Sequence, residues 1–197
     1  MKYNTNVHHR QSIRLPGYDY SQNGAYFITI CTQDRENIFG EINNGQIVQN
    51  DAARMVGKWY NELTNKYPAI ELDESVILPN HFHCIIQIIN ENIRQNMGHN
   101  MGQTHGSAPT GDDRNVGANL CVRPKINEII QWFKTMTTNE YIRNVKQKGW
   151  KSFNGKLWQR NYYEHIIRDE NELNRIREYI KNKPLNWESD MVVHLHK

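Results

Sequence analysis

Apolar and polar positions recur with two periods along this chain, and each change of period marks an element. Residues 25–32, Ala-Tyr-Phe-Ile-Thr-Ile-Cys-Thr, form a β-branched and aromatic run that reads as a strand. From about Asp51 to Lys66, Ala52, Val56, Trp59, Tyr60 and Leu63 fall on one 3.6-residue face. That period predicts a helix, with Asn50 or Asp51 as its cap. Two strands follow, near residues 70–78 and 81–90, joined by the tight Pro79-Asn80 step. Pro124 suits a first helical turn, and Ile126, Ile129, Ile130, Phe133 and Met136 mark a second amphipathic helix. A strand near residues 162–168 precedes a final helix that opens with Asp169-Glu170 and is stopped by Pro184. Leu173, Ile176 and Ile180 are its apolar stripe. The order β-α-β-β-α-β-α predicts an α+β fold, a ferredoxin-like antiparallel sheet with helices packed on one face.

Three stretches lack either period. Residues 1–24 read as a polar arm with Arg10, Arg14, Pro16 and Gly17 that ends in a turn at Gly24. Residues 33–46, with Gly40 and Gly45, read as a turn region. Residues 91–119 repeat Asn-Met-Gly, hold five of the twelve glycines, and read as a flexible insertion that contains His99 and His105. A chain of 197 residues then makes a single domain carrying that insertion.

Composition excludes several classes. A mean hydropathy of −0.82 argues against a membrane span, and no apolar leader opens the sequence. Cys31, Cys84 and Cys121 are odd in number and form no C-x-x-C pair, so neither a disulfide framework nor a zinc ribbon is indicated. A soluble, cytoplasmic protein is expected. The net charge of +3 is unevenly spread: residues 123–168 hold 10 Lys and Arg against 3 Asp and Glu, and carry the whole positive excess. There Lys146, Lys148, Lys151, Lys156 and Arg160 interleave with Trp150, Phe153, Trp158 and Tyr162. Such a stretch can neutralise phosphates and stack bases, or it can be a solvated basic loop packed by its own aromatics.

The sharpest local signal is Leu78-Pro79-Asn80-His81-Phe82-His83-Cys84. On a strand, His81 and His83 share one face while Phe82 points to the other. Two neutral imidazoles so placed can chelate one divalent ion, or can simply form a polar face. A histidine-triad hydrolase would continue with a third histidine, where this chain has Ile85. H-E-x-x-H, G-x-S-x-G, Walker A and G-x-G-x-x-G are absent.

The histidine pair, together with Tyr26-Phe27-Ile28-Thr29, the segment from Trp158-Gln159-Arg160-Asn161-Tyr162-Tyr163-Glu164-His165 to Arg168, and Tyr179-Ile180-Lys181-Asn182-Lys183-Pro184, resembles the REP-associated tyrosine transposases of the IS200-like Y1 superfamily of HUH nucleases. The resemblance runs from about Arg10 to Trp187, outside the insertion. It implies a metal-dependent single-stranded DNA endonuclease and strand transferase that acts on hairpin DNA of the repetitive extragenic type through a 5′-phosphotyrosine. It implies His81 and His83 as ligands of Mg²⁺ or Mn²⁺ and Tyr179, rather than Tyr162 or Tyr163, as nucleophile. The family's asparagine, four residues after the tyrosine, is Lys183 here. Asn182 and Lys183 therefore become the candidates for a third ligand or a phosphate contact, and Lys134, Arg160 and Arg168 for DNA contacts. An ammonium group cannot ligate a metal. The alternative is a domesticated hairpin-DNA-binding protein with weakened or lost cleavage; a phosphohydrolase of small nucleotides is a further rival. A nucleoid-associated monomer or homodimer is the expected state.

Overall fold

The computed structural model describes residues 22–89 and 124–187; the polar arm before residue 22 and the 91–119 insertion lie outside the described residues. Its elements are β1 (Gly24–Cys31), β2 (Gly40–Asn43), β3 (Gln46–Gln49), α1 (Asp51–Lys66), β4 (Ile70–Leu78), β5 (His81–Ile88), α2 (Ile126–Lys148), β6 (Tyr163–Ile167) and α3 (Glu170–Asn182). The main sheet has the order β4-β5-β1-β6, with every neighbour antiparallel. Its β1-α1-β4-β5-α2-β6 path is the split βαβ arrangement expected of a ferredoxin-like fold.

Local chemistry sets the boundaries. The Asn50 side chain accepts from Ala53 N at 3.0 Å and starts α1, and Asp169 does the same for α3 through Glu172 N at 2.8 Å. Gly149, in the left-handed region at φ 67°, ends α2. The 33–46 region resolves into a short 3-10 turn and the β2-β3 hairpin, which the sequence reading did not separate from a loop. Each strand has only four residues, too few for an alternating pattern to register. The usable signal was Asn44-Gly45, whose φ values of 51° and 72° suit a tight hairpin turn.

The sheet is covered on both faces. Even-numbered Tyr26, Ile28 and Ile30 of β1 and Phe82, Cys84 and Ile86 of β5 join α1 and α2 in the larger core. Ile85 and Ile167 meet Leu173 and Ile180 of α3 in a second cluster, with Phe27 and Val76 against it. The fold class stands as expected, but α3 occupies the face opposite α1 and α2 rather than sharing theirs. Apolar Phe27, Ile85 and Ile167 at odd positions demand a cover of their own, and the stripe of α3 supplies it. Among the described residues no helix is long and apolar enough to cross a membrane.

Candidate active site

The odd positions of β5 carry His81 and His83 onto the face that α3 covers. Antiparallel pairing places Thr29 opposite His83 and Cys31 opposite His81. The Pro79-Asn80 turn that starts β5 is fixed from outside: the Asn80 carbonyl accepts from both Thr32 N and Thr32 Oγ1 at 2.9 Å. Both imidazoles are nearly covered, at 7% and 4% exposure.

The two rings converge on each other. His81 Nε2 and His83 Nε2 lie 3.0 Å apart, while their outer nitrogens are held by Asn80 Oδ1 at 2.7 Å and Thr29 Oγ1 at 2.8 Å. The Asn80 oxygen only accepts, so His81 carries its proton on Nδ1 and turns a bare Nε2 inward. The single proton between the Nε2 atoms then belongs to His83, and the Thr29 hydroxyl donates to His83 Nδ1. If His83 instead protonates Nδ1 and Thr29 accepts, both Nε2 lone pairs face one point. Two nitrogens about 2.1 Å from one octahedral ion, at right angles, stand about 3.0 Å apart. The pair could hold a divalent ion of that size, and the same 3.0 Å spacing is that of a hydrogen bond between the two rings. Burial, followed by the nearby His81 and Lys183, pushes His83 well below the ordinary imidazole range, which keeps it in the neutral form a ligand needs. Among the described residues no group of three His, Cys, Asp or Glu gathers as a fuller cage.

Helix α3 delivers Tyr179 to this pair. The apolar stripe pins one side of the helix to the sheet, and Tyr179 stands at its margin, 44% exposed. Its ring centroid lies 5.7 Å from His83 and 5.9 Å from Phe27, edge-on to the latter. Partial burial raises the phenol above its usual pKa. Lys183, one helical turn on, is 6% exposed and sets its ammonium 4.6 Å from the Tyr179 ring centre. Burial lowers the pKa of that ammonium. Asn182 is exposed at the helix end. Beyond it, bonds from Leu185 N to Asn182 O and from Asn186 N to Lys183 O carry the chain on in tight turns, and Trp187 stacks on His81 at 5.6 Å.

The remaining expected residues divide. Lys134 is not a free surface cation: its ammonium donates to Gln159 O and Asn161 O, both at 2.9 Å, and burial pushes its pKa down to about 8. It clamps the 159–161 loop to α2, a role that a charge count cannot reveal. Arg160 and Arg168 are exposed. Trp158 is buried and donates to Thr137 Oγ1 at 2.8 Å, while Trp150 and Phe153 pack on Tyr141. These three aromatics therefore hold the loop inward, and the basic side chains around them face solvent. His165 makes a strand-to-helix bond to Glu172 Oε1 at 2.8 Å. Between α2 and this loop runs a groove of about 940 Å³, lined by Gln131, Asn139, Lys156, Arg160, Asn161 and Tyr162 among others. Thr29, Asn80, Phe27 and Trp187 were given no role in the site by the sequence reading. Phe27, Thr29 and Asn80 lie in the motifs that carry the resemblance, but their contacts arise from strand pairing and the Pro79-Asn80 turn; Trp187 reaches the site through the turns that follow α3.

Residues 120–183 match the family described as "Transposase IS200 like". The chain is 37% identical over 196 residues to an uncharacterized protein of Haemophilus influenzae, covering 97% of each. A second Haemophilus influenzae protein, named as a REP-associated tyrosine transposase, is 25% identical over 170 residues, 85% of this chain and 73% of that one. In fold, the chain is similar to a REP-associated tyrosine transposase solved bound to a REP hairpin, with a TM-score of 0.51 and 18% identity, over 89% of this chain and 74% of the other. Residues 120–183 thus carry the IS200-like transposase match, and the REP-associated tyrosine transposases are proteins that the chain resembles in sequence and in fold.

Proposed function

We propose that the protein is a divalent-metal-dependent single-stranded DNA endonuclease and strand transferase, acting on hairpin DNA with a single-stranded flank. The observation that carries this reading is the 3.0 Å approach of two imidazole nitrogens directly beside the exposed edge of Tyr179. His81 and His83 would hold Mg²⁺ or Mn²⁺. Bound there, the ion supplies positive charge against the scissile phosphate.

The chain's own residues do the rest. Tyr179 Oη attacks phosphorus, its bond to phosphorus forms as the bond from phosphorus to the 3′ oxygen breaks, and the leaving oxygen takes up a proton as a free 3′-OH. The phenolic proton passes to solvent at the open side of the ring. The phosphodiester energy is kept in the 5′-phosphotyrosine, so a second 3′-OH can reverse the step and join strands. Asn80 and Thr29 hold the imidazoles in orientation, and Trp187 excludes water from the outer face of His81. Arg160 and Lys156, which line the groove beside α2, would meet hairpin phosphates.

The test is incubation of the protein with labelled hairpin DNA carrying a single-stranded flank, over a Mn²⁺ titration, resolved on a denaturing gel. A metal-dependent covalent adduct that disappears in His83→Ala supports the proposal. Turnover without an adduct would assign the site to simple phosphohydrolysis.

A further inference from the structure

An aromatic row crosses the sheet face beneath α3. Tyr163 meets Phe27 edge-on with centroids 6.4 Å apart, Phe27 stacks on His83 at 5.3 Å, His83 meets His81 at 4.6 Å, and Trp187 stacks on His81 at 5.6 Å. Tyr179 stands over the middle of this row, against Phe27 and His83. One end is closed, because Trp187 is buried. The other end is open: Tyr163 lies on β6, an edge strand, with 50% of its surface exposed.

We propose that Tyr163 is a stacking subsite for an unpaired nucleobase of the DNA strand, beside the phosphate that Tyr179 attacks. The inference rests on the nuclease reading and adds where the single strand is held. Tyr163 and Tyr179 both contact Phe27, so their ring centres are no more than about 12 Å apart, a reach of a few nucleotides at about 3.4 Å or more each. The Tyr163 backbone pairs directly with Thr29, whose side chain holds His83, so strand pairing fixes the open ring relative to the histidine pair. A rigid aromatic face with two torsions loses little entropy on stacking, and every base offers a π-face to it. Trp158 is buried and Trp150 and Phe153 pack on Tyr141, so none of them offers as open a ring as Tyr163.

The experiment uses the Tyr179→Phe protein, so that cleavage does not intervene, and hairpins with 2-aminopurine at successive flank positions. Fluorescence quenching is expected at one or two adjacent positions, retained in Tyr163→Phe and lost in Tyr163→Ala and Tyr163→Leu. Affinity for the flanked hairpin should fall about 5- to 100-fold in Tyr163→Ala, with affinity for the bare hairpin unchanged. Equal quenching in Tyr163→Ala, or an equal loss for the bare hairpin, overturns the subsite. A parallel cleavage reaction with wild-type protein separates the two claims: quenching without any cleavage would leave the subsite standing and remove the nuclease.

Discussion

Replacing Asp73 with Asn should destabilise the protein by about 2 kcal/mol at neutral pH and by progressively less in acid. Strand β4 breaks register between Leu72 and Ser75, and the bulge changes its parity: Leu72 packs with the α1 and α2 core, whereas Val76 packs on the α3 side. At that bulge the Asp73 carboxylate accepts from Arg177 Nε at 3.0 Å, Arg177 Nη2 at 2.6 Å, Gln87 Nε2 at 2.8 Å and Glu74 N at 2.7 Å. The side chains of Arg177 and Asp73 are 30% and 11% exposed, between the surface pairs worth about 0.2–1 kcal/mol and the buried pairs whose breakage costs about 3–5 kcal/mol. A midpoint loss of about 4–8 °C follows. Chiefly through the Arg177 hydrogen bond, the Asp73 carboxyl titrates below its ordinary value. Its contribution is therefore complete above the unfolded carboxyl pKa of about 3.9 and is lost as pH falls through the depressed folded value. Urea unfolding of both proteins from pH 7 to pH 3 should show a constant gap down to about pH 4 that narrows below it. Equal midpoints at pH 7, or a gap undiminished at pH 3, would refute the reasoning. Arg177 lies two residues before Tyr179, so the same clamp helps set the position of the helix that bears Tyr179.

Two further outcomes are expected. Lys183→Asn removes an ammonium from the buried surroundings of His83 and Tyr179, so cleavage should reach its half-maximal rate at lower Mn²⁺; single-turnover rates that are slower across the whole titration would show that the ammonium serves the phenolate or the phosphate instead. Affinity for a hairpin should fall with salt at a log–log slope of about −0.7 to −0.9 per phosphate neutralised, because the positive excess sits in residues 123–168; a salt-independent affinity would point to a protein partner.

How much was legible in the sequence varies with the range of the interaction. Helix α1 was bounded residue for residue, because Asn50 caps it and its apolar stripe is regular. The shared face of His81 and His83 follows from strand parity alone. The placement of α3 did not, since an amphipathic stripe says that a helix is covered but not by which side of a sheet. Lys134 reads as a surface cation until the loop carbonyls that hold it are seen. Thr29 lies 54 residues from His83, and only antiparallel register brings them together. Trp187 reaches His81 through turns that carry the chain on past α3, which Pro184 conceals because it reads only as a stop.

The central claim is that Tyr179, beside a histidine pair, is the residue that becomes covalently joined to DNA. The direct measurement is peptide mapping by mass spectrometry of the protein–DNA adduct, for wild type and for Tyr179→Phe. The account predicts a nucleotide-modified peptide at Tyr179 in the wild type, and no adduct in Tyr179→Phe despite hairpin affinity within a few-fold of wild type. An adduct that persists in Tyr179→Phe and maps to Tyr162 or Tyr163 would contradict it.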